Sequence, residues 1–570
     1  MNDDQALRDF VGKYARPYDP EDDEYDRPPF AVDVRSPGRS SFYNFHYYMT
    51  KVPPESIVGL ILHYTMPGDV VLDPFCGSGM TGVACQMCAS PDPRTLATVP
   101  GSVAGSRVAI LDDLSPAACH ISANYTCPAD AVAVQHEFEC ISARLAETST
   151  WLYGTEHYEP AIGLYDPKSS AVAERVKNLS QNVYHDMKLL EGNQEKTWEV
   201  VGREEVERSL GFPISKLLYT EHGENVDLGN VATWIRIPAT LIYTVWSDVY
   251  QCEGFRTIEE PTGRINLRTG KPVLKKRRVL RRCKGDIIAR GAVDKQDDDG
   301  NNAFIRCPNC SERWMKGRVP RTQIIPVEVC YEYQGLKVTA GVPRPRLLRA
   351  TRPVSSQEQE RIREIGARPV PYWYPNFVLN KDGPRYRRDS LAGKLVERYP
   401  DFFTHRNLWA IAMLWAEIDK ASQSVRPALR FCFTSQLMRC SRLRRMRDAK
   451  PGEQLSGTLH ISSETVESNV LRVVRKAVQD YQAALTSACS QSGEQVYIRC
   501  GSATDLHPIP SETIDYIFTD PPFGANIYYC EVNCLWEAWL GAFTDETQEA
   551  VMHRPVDGGY KRLDHYASLM

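Results

Sequence analysis

Val70-Val71-Leu72-Asp73-Pro74-Phe75-Cys76-Gly77-Ser78-Gly79 is the stretch that decides the fold class. Three apolar residues end in an acid, a proline and two glycines, and the helix-compatible segment Met80 to Met87 follows at once. Strand, glycine-rich turn and helix open a dinucleotide-style α/β unit. Small residues let the backbone approach a ligand there, and the helix N-terminus adds partial positive charge. A GxG turn alone carries little weight. It gains weight from a second strand, Val108-Ala109-Ile110-Leu111, ending at Asp112-Asp113, where an acidic side chain can take ribose hydroxyls. Before the turn, Ile57, Val58, Leu60, Ile61 and Leu62 predict an amphipathic helix that stops at Pro67-Gly68. After it, Leu114-Ser115-Pro116 starts a helix running to about Tyr125.

The alternation returns only near the other end of the chain. Val496-Tyr497-Ile498 predicts a strand leading to Gly501-Ser502-Ala503-Thr504-Asp505, and the apolar run Ile514 to Phe518 leads into Thr519-Asp520-Pro521-Pro522-Phe523-Gly524. Two prolines fix φ, remove two N–H donors and leave free carbonyls at a strand end. A carboxylate, such carbonyls and an aromatic ring suit a planar ring bearing an exocyclic amine. Asp520 and the Pro521 carbonyl can accept the amine hydrogens, with Pro522 stiffening the loop and Phe523 against the ring face. Four strands are countable for this sheet. The expected fold is α/β with a Rossmann-like sheet, interrupted by a large mixed α+β insertion and lacking its last strands.

The boundaries read as a flexible acidic arm over 1–40, a cofactor-binding half over 41–127, an inserted region over 128–493 and a catalytic half over 494–570. The arm includes Tyr18-Asp19-Pro20-Glu21-Asp22-Asp23-Glu24, with little to pack. In the insertion, Trp234 to Val249 reads as buried. One helix starts near Thr404 and carries Leu408, Ile411, Leu414 and Trp415, and another carries Val466, Val470, Val474, Val478 and Tyr481. Its stretch 246–330 is basic and resembles a zinc ribbon. Lys275, Lys276, Arg277, Arg278, Arg281 and Arg282 are candidate phosphate contacts, with Arg442, Arg444, Arg445 and Arg447 as a second patch. Cys307-Pro308-Asn309-Cys310 has knuckle spacing, but a four-ligand zinc site needs two more ligands. The partner knuckle is broken, with Phe255 where a second cysteine would complete it. Cys252, with Cys283 or Cys330, remains to fill the set.

The chain has 570 residues, 42% hydrophobic and 25% charged, so several globular domains are expected. No apolar run reaches the roughly 20 residues that span a bilayer. Met1-Asn2-Asp3-Asp4 lacks a secretory pattern, and seventeen cysteines, an odd number, read as reduced thiols, so the cytoplasm is the expected compartment. The net charge of −4 confines any nucleic-acid attraction to local basic patches.

Together, the Asp73 to Gly79 loop and Asp520-Pro521-Pro522-Phe523 resemble the S-adenosylmethionine and catalytic loops of the amino-group DNA methyltransferases. His46-Tyr47-Tyr48 with Lys51-Val52-Pro53-Pro54 is similar to the element preceding that cofactor loop. Asp113 matches the ribose-binding acid, and Gly501 to Asp505 matches the loop after the third strand. Trp536-Glu537-Ala538-Trp539-Leu540 matches the helix after the catalytic loop. The layout also resembles the large adenine-specific DNA methylases with an inserted zinc ribbon. The resemblance implies methyl transfer from S-adenosylmethionine to adenine N6 in DNA, in restriction-modification or phage defence. It makes Asp520, Pro521, Pro522 and Phe523 catalytic. His46, Asp73, Pro74, Phe75, Cys76, Gly77, Ser78, Gly79, Asp113 and Asp505 become cofactor-binding. It also implies strands five to seven, expected to be missing after the helix begun near Tyr566, and hence a second polypeptide or other defence-system subunits. Competing readings are an RNA base methyltransferase, a catalytically silent DNA-binding subunit, and half of a split methyltransferase.

Overall fold

The computed structural model describes residues 3–16, 21, 25–34, 40–160, 199–214, 220–221, 224–225, 233–252, 255–265, 272–280, 283, 285–292, 304–311, 313–315, 319–339, 342–447, 450–485, 493–522, 524, 527–552, 555–556, 559–560 and 562–570. In chain order, the elements used below begin with α1 (Asp3–Tyr14), α2 (Pro54–Tyr64), β1 (Val70–Asp73), α3 (Met80–Met87), β2 (Val108–Asp113) and α4 (Pro116–Thr126). The middle of the chain supplies β3 (Gly154–Pro160), β4 (Thr233–Gln251), β5 (Phe255–Ile265), β6 (Pro272–Leu280), β7 (Asp286–Ile288), β8 (Phe304–Arg306), β9 (Arg313–Met315), β10 (Arg321–Thr339) and β11 (Val342–Pro353). They are followed by α5 (His405–Ile418), α6 (Arg426–Cys440), β12 (Glu464–Ser468), α7 (Val470–Leu485), β13 (Val496–Cys500), β14 (Tyr516–Ile517), α8 (Tyr529–Leu540) and α9 (Leu563–Leu569).

The two ends of the chain meet in one parallel sheet of order β13-β2-β1-β14. Strand β1 is buried throughout, as a strand covered on both faces must be. Val71, Ala109 and Leu111 face the main core, while Val70, Leu72, Val108 and Ile110 pack with Leu7 and Val11 of α1. This corrects the expectation of a loose arm. Residues 3–14 are a helix whose two buried apolar side chains cover one face of the sheet, each worth about 1.5–3 kcal/mol. The acidic composition that suggested disorder lies outside this apolar stripe.

A second, seven-stranded sheet is built on the 19-residue strand β4. One edge of β4 pairs with β10, and the other pairs in turn with β3, β12 and β7. Val466 belongs to β12, opposite Val245, and not to the following helix as its spacing predicts. The helix starts later because Asn469 accepts the Arg472 amide at 3.2 Å.

Helices α5, α6 and α7 share one apolar core with the cofactor half. Phe431 of α6 lies 5.1 Å from the Phe45 ring and 5.2 Å from that of Tyr125, and Trp539 of α8 meets Trp415 and Phe433 at 5.5 and 5.4 Å. Packing therefore runs across the expected boundaries at 127/128 and 493/494. No helix among the described residues is long and apolar enough to cross a membrane.

Candidate active site

The turn after β1 is folded by its own acid. Asp73 accepts the Phe75 amide at 3.1 Å and the Thr81 hydroxyl at 2.5 Å, curling the loop back over the strand end. The Cys76 amide donates to the Asp112 carbonyl at 2.9 Å and the Gly77 amide to Asp113 Oδ2 at 2.8 Å, so the loop is tied to the end of β2. Gly77 and Gly79 have φ of 51° and 75°, the left-handed region that glycine adopts without strain. A Cβ at Gly79 would stand 2.5 Å from Ser122 Oγ on α4, and one at Gly77 would stand 3.1 Å from the Tyr48 ring.

The second loop leaves β14, which runs parallel to β1 with Val71 beside Tyr516 and Leu72 beside Ile517. Asp73 and Asp520 thus sit at the carboxyl ends of adjacent parallel strands. There the chain order of the sheet reverses, and a crevice forms. A cavity of about 740 Å³, part of it open to solvent, occupies this crevice. Pro74, Phe75 and Gly77 line it from the first loop, Asp113 and Leu114 from β2, Ser502 to Thr504 from the β13 end, and Asp520 and Pro522 from the second loop.

The electrostatics of the crevice are dominated by acids. Burial pushes the Asp73 carboxyl up to about 7 against the pull of its Thr81 and Phe75 hydrogen bonds, with Asp113 and Asp520 adding repulsion. Burial raises Asp113 to about 6, although the Ser115 and Gly77 amides oppose it. Asp520 is exposed, and its partial burial still raises its carboxyl. Asp113 and Asp520 thus disfavour ionisation of Asp73, and the acidic crevice suits a ligand carrying positive charge.

Of the residues expected at the site, Pro74, Phe75, Gly77, Asp113, Asp520 and Pro522 line the cavity. Asp73, Cys76 and Ser78 are buried beneath it, and Gly79 begins α3. Pro521 is half-buried within the second loop, and Phe523 lies outside the described residues. Two expectations are corrected. His46 does not line the cavity: it is stacked 5.2 Å from Phe431, with Nε2 3.1 Å from Thr434 Oγ1, and burial pulls it down to about 3, so it is a neutral core residue. Asp505 points away to solvent and pairs with His507 at 2.5 Å, leaving Ser502 to Thr504 to face the cavity.

Sequence reasoning missed Tyr48, Thr50, Tyr529, Thr544, Gln548, Glu549 and Leu569, which also line the cavity. Tyr48 stands two residues from His46 in the aromatic cluster, and Tyr529 bonds Thr50 at 3.1 Å. Glu549 accepts the Cys530 amide at 3.1 Å and had no local signature. Tyr566 of α9 donates to the Pro522 carbonyl at 2.5 Å, bringing Leu569 over the opening.

In the middle region, the sulfurs of Cys252, Cys283, Cys307 and Cys310 all lie within 4.8 Å of one another. The Cys252–Cys310 and Cys283–Cys307 separations are 3.6 and 3.7 Å, close to the roughly 3.8 Å edge of a tetrahedron of thiolates around zinc at about 2.3 Å. The donor set therefore fits that ion. Burial alone would raise the Cys307 thiol, but the Cys310 and Asn309 amides and the Cys310 and Cys252 side chains hold it below the ordinary value. Cys330 stands apart, in β10. Lys275 to Arg278 lie on β6, while Arg281 and Arg282 fall outside the described residues. The second basic patch is corrected in part: Arg442 is buried and donates to the Asp401 and Lys394 carbonyls, and Arg444 donates to Ser468 at 2.6 Å.

A family model named for N6 and N4 methylation and described as DNA methylase matches residues 17–116. The match supports an amino-group DNA methyltransferase. It includes the first loop and all of α2 to β2, and ends before the Asp520 loop. No curated protein and no solved structure matches the chain.

Proposed function

We propose that this chain methylates an exocyclic amine of a base in duplex DNA, with adenine N6 as the target and S-adenosylmethionine as the methyl donor. The observation that carries the reading is the single cavity shared by the Asp73 to Gly79 loop and Asp520, at the ends of adjacent parallel strands. The order of those strands suits a Rossmann-like methyltransferase sheet.

Bound S-adenosylmethionine supplies a methyl group already activated by its sulfonium charge. The residues present fit it: three acids favour a cation, Asp113 offers a carboxylate for ribose hydroxyls, and Gly77 lets the backbone lie close. The chain's own task is then orientation. The lone pair of a ring amine is delocalised, so an acceptor at Asp520 and one at the Pro521 carbonyl hold the two amine hydrogens and turn the nitrogen toward the methyl group. Asp520 accepts most strongly as the carboxylate, a form its partial burial disfavours. Tyr48, Phe75 and Tyr529 narrow the water space around the acceptors. A duplex base must leave its stack to reach them. Methylation at cytosine carbon 5 is disfavoured because its nucleophile is usually presented in a Pro-Cys dipeptide, which the sequence lacks.

Cys252, Cys283, Cys307 and Cys310 would hold zinc in the part of the chain that meets DNA, and restriction or phage defence is the biological setting this reading fits. The test is incubation of labelled S-adenosylmethionine with duplex DNA and, in parallel, with RNA, followed by nucleoside analysis. N6-methyladenine is expected. Label in RNA alone, or in 5-methylcytosine, overturns the reading.

A further inference from the structure

The cysteine cluster has an unusual connection. Cys307 and Cys310 form one tight knuckle between β8 and β9, but the other two sulfurs come from Cys252 and Cys283, with residues 253–282 between them. Strand β5 begins just after Cys252, and β6 ends just before Cys283. The two strands pair antiparallel from Phe255 opposite Leu280 to Ile265 opposite Pro272. The two cysteines are therefore the feet of one hairpin.

That hairpin needs its feet held. Strands β5 and β6 pair with no third strand among the described residues, and an isolated two-stranded ribbon is marginal in water. Among the described residues, the apolar cluster near its base is small: Tyr250, Cys252, Ile287, Ala289, Ile305, Cys307 and Val319, with Cys283 and Trp314 packed against it. A metal joining Cys252 and Cys283 to the Cys307–Cys310 knuckle would fix both strand ends to the neighbouring hairpin.

The ribbon is also strongly charged. Residues 255–282 hold ten basic and two acidic residues in a chain whose net charge is −4. The register sets Glu260 opposite Lys275 and Glu259 opposite Lys276, but Arg277 and Arg278 face Ile258 and Thr257 across the strands. The excess of ten basic over two acidic residues suits a polyanion. A two-stranded ribbon of nine residues, about 30 Å long, has the width that the major groove of B-form DNA admits.

We infer that Cys252 and Cys283 are a single metal knuckle opened by an inserted basic hairpin, and that this hairpin docks on duplex DNA while the metal holds its feet. The inference rests on the DNA reading above for its partner, but not on methyl transfer. The sequence offers a direct test, because deleting residues 255–282 joins Cys252-Glu253-Gly254 to Cys283 and leaves an ordinary Cys-x-x-Cys knuckle.

The experiment compares the full chain, this deletion, and the quadruple variant K275A/K276A/R277A/R278A. Metal content is measured by mass spectrometry, and binding of fluorescent DNA and RNA duplexes is measured across salt concentrations. All three should carry one zinc per chain. Both variants should lose at least tenfold in duplex affinity at low salt. The slope of log affinity against log salt should fall by about 3 to 4 in the quadruple variant, as expected for four lost phosphate contacts. Loss of zinc on deletion would overturn the opened knuckle. Wild-type affinity and slope in the quadruple variant, or weakened binding to duplex RNA but not DNA, would overturn the docking surface. A chain that binds DNA through the hairpin yet transfers no methyl group would sink the proposed activity and leave this inference standing.

Discussion

The crevice at the end of the parallel sheet and the cysteine-bearing hairpin region are held together by opposite means. The crevice sits on a continuous core in which Phe431, Trp415 and Trp539 join helices from three parts of the chain. Its loops are fixed by backbone amides, two left-handed glycines and the buried Asp73. Among the described residues, the apolar cluster around the cysteines is small, and four sulfurs converge within it and beside it. One region is fixed by packing and tolerates a buried Asp73 repelled by Asp113 and Asp520. The other would depend on a small number of ligand bonds if the four cysteines hold the proposed metal. The difference teaches that positioning chemistry and reaching for a partner place different demands on the same chain.

The comparison can be broken first at the core. Trp539→Ala removes a buried ring that contacts Trp415 and Phe433 and should cost about 3–5 kcal/mol, measured as a lower midpoint in denaturant. A loss near zero would mean that the crevice does not rest on this core. Gly79→Ala should come next, at about 1–3 kcal/mol, because the new methyl group meets Ser122 and the backbone lies in the left-handed region. S-adenosylmethionine affinity, followed by calorimetry, should drop with it.

Chelation sharpens the contrast from the other side. Removing metal with a strong chelator should leave the main unfolding transition within a few degrees while weakening duplex binding, since the crevice core does not touch the cluster. A collapse of the whole transition would show that the two regions are not independent.

The remaining test is in pH. Asp73 and Asp113 are raised to about 7 and about 6, above their unfolded values of about 4, so the folded state favours their neutral forms. Their contribution to stability is full below about pH 4 and is lost as pH rises through about 6 to 7. Affinity for a cationic ligand should move the other way, rising across the same interval. Asp113→Asn should flatten both profiles, as read by denaturant titration and calorimetry at several pH values.

Much of the parallel sheet was legible because its strands are short apolar runs that end in acids and glycines. Met80–Met87 and Pro116–Thr126 follow directly from that punctuation. Helix α1 was not legible, since two buried side chains, Leu7 and Val11, are too few to stand out among acidic neighbours. His46 was misplaced because an aromatic cluster gives no sign of which ring faces a cavity, and Tyr48 took that position. Glu549, Gln548 and Thr544 reach the crevice from a stretch without periodicity, so only folding brings them there. Cys283 was one of two open alternatives for the fourth sulfur. The choice depended on strand register between distant segments, which spacing does not contain.

The central claim is that loops from opposite ends of the chain make one methyl-transfer site. It is tested most directly by measuring transfer from labelled S-adenosylmethionine to duplex DNA by wild type and Asp520→Ala, with cofactor binding followed in parallel. Loss of the acceptor should lower the transfer rate on the order of 10²- to 10³-fold while cofactor affinity changes little. Transfer that persists undiminished in Asp520→Ala would contradict the account.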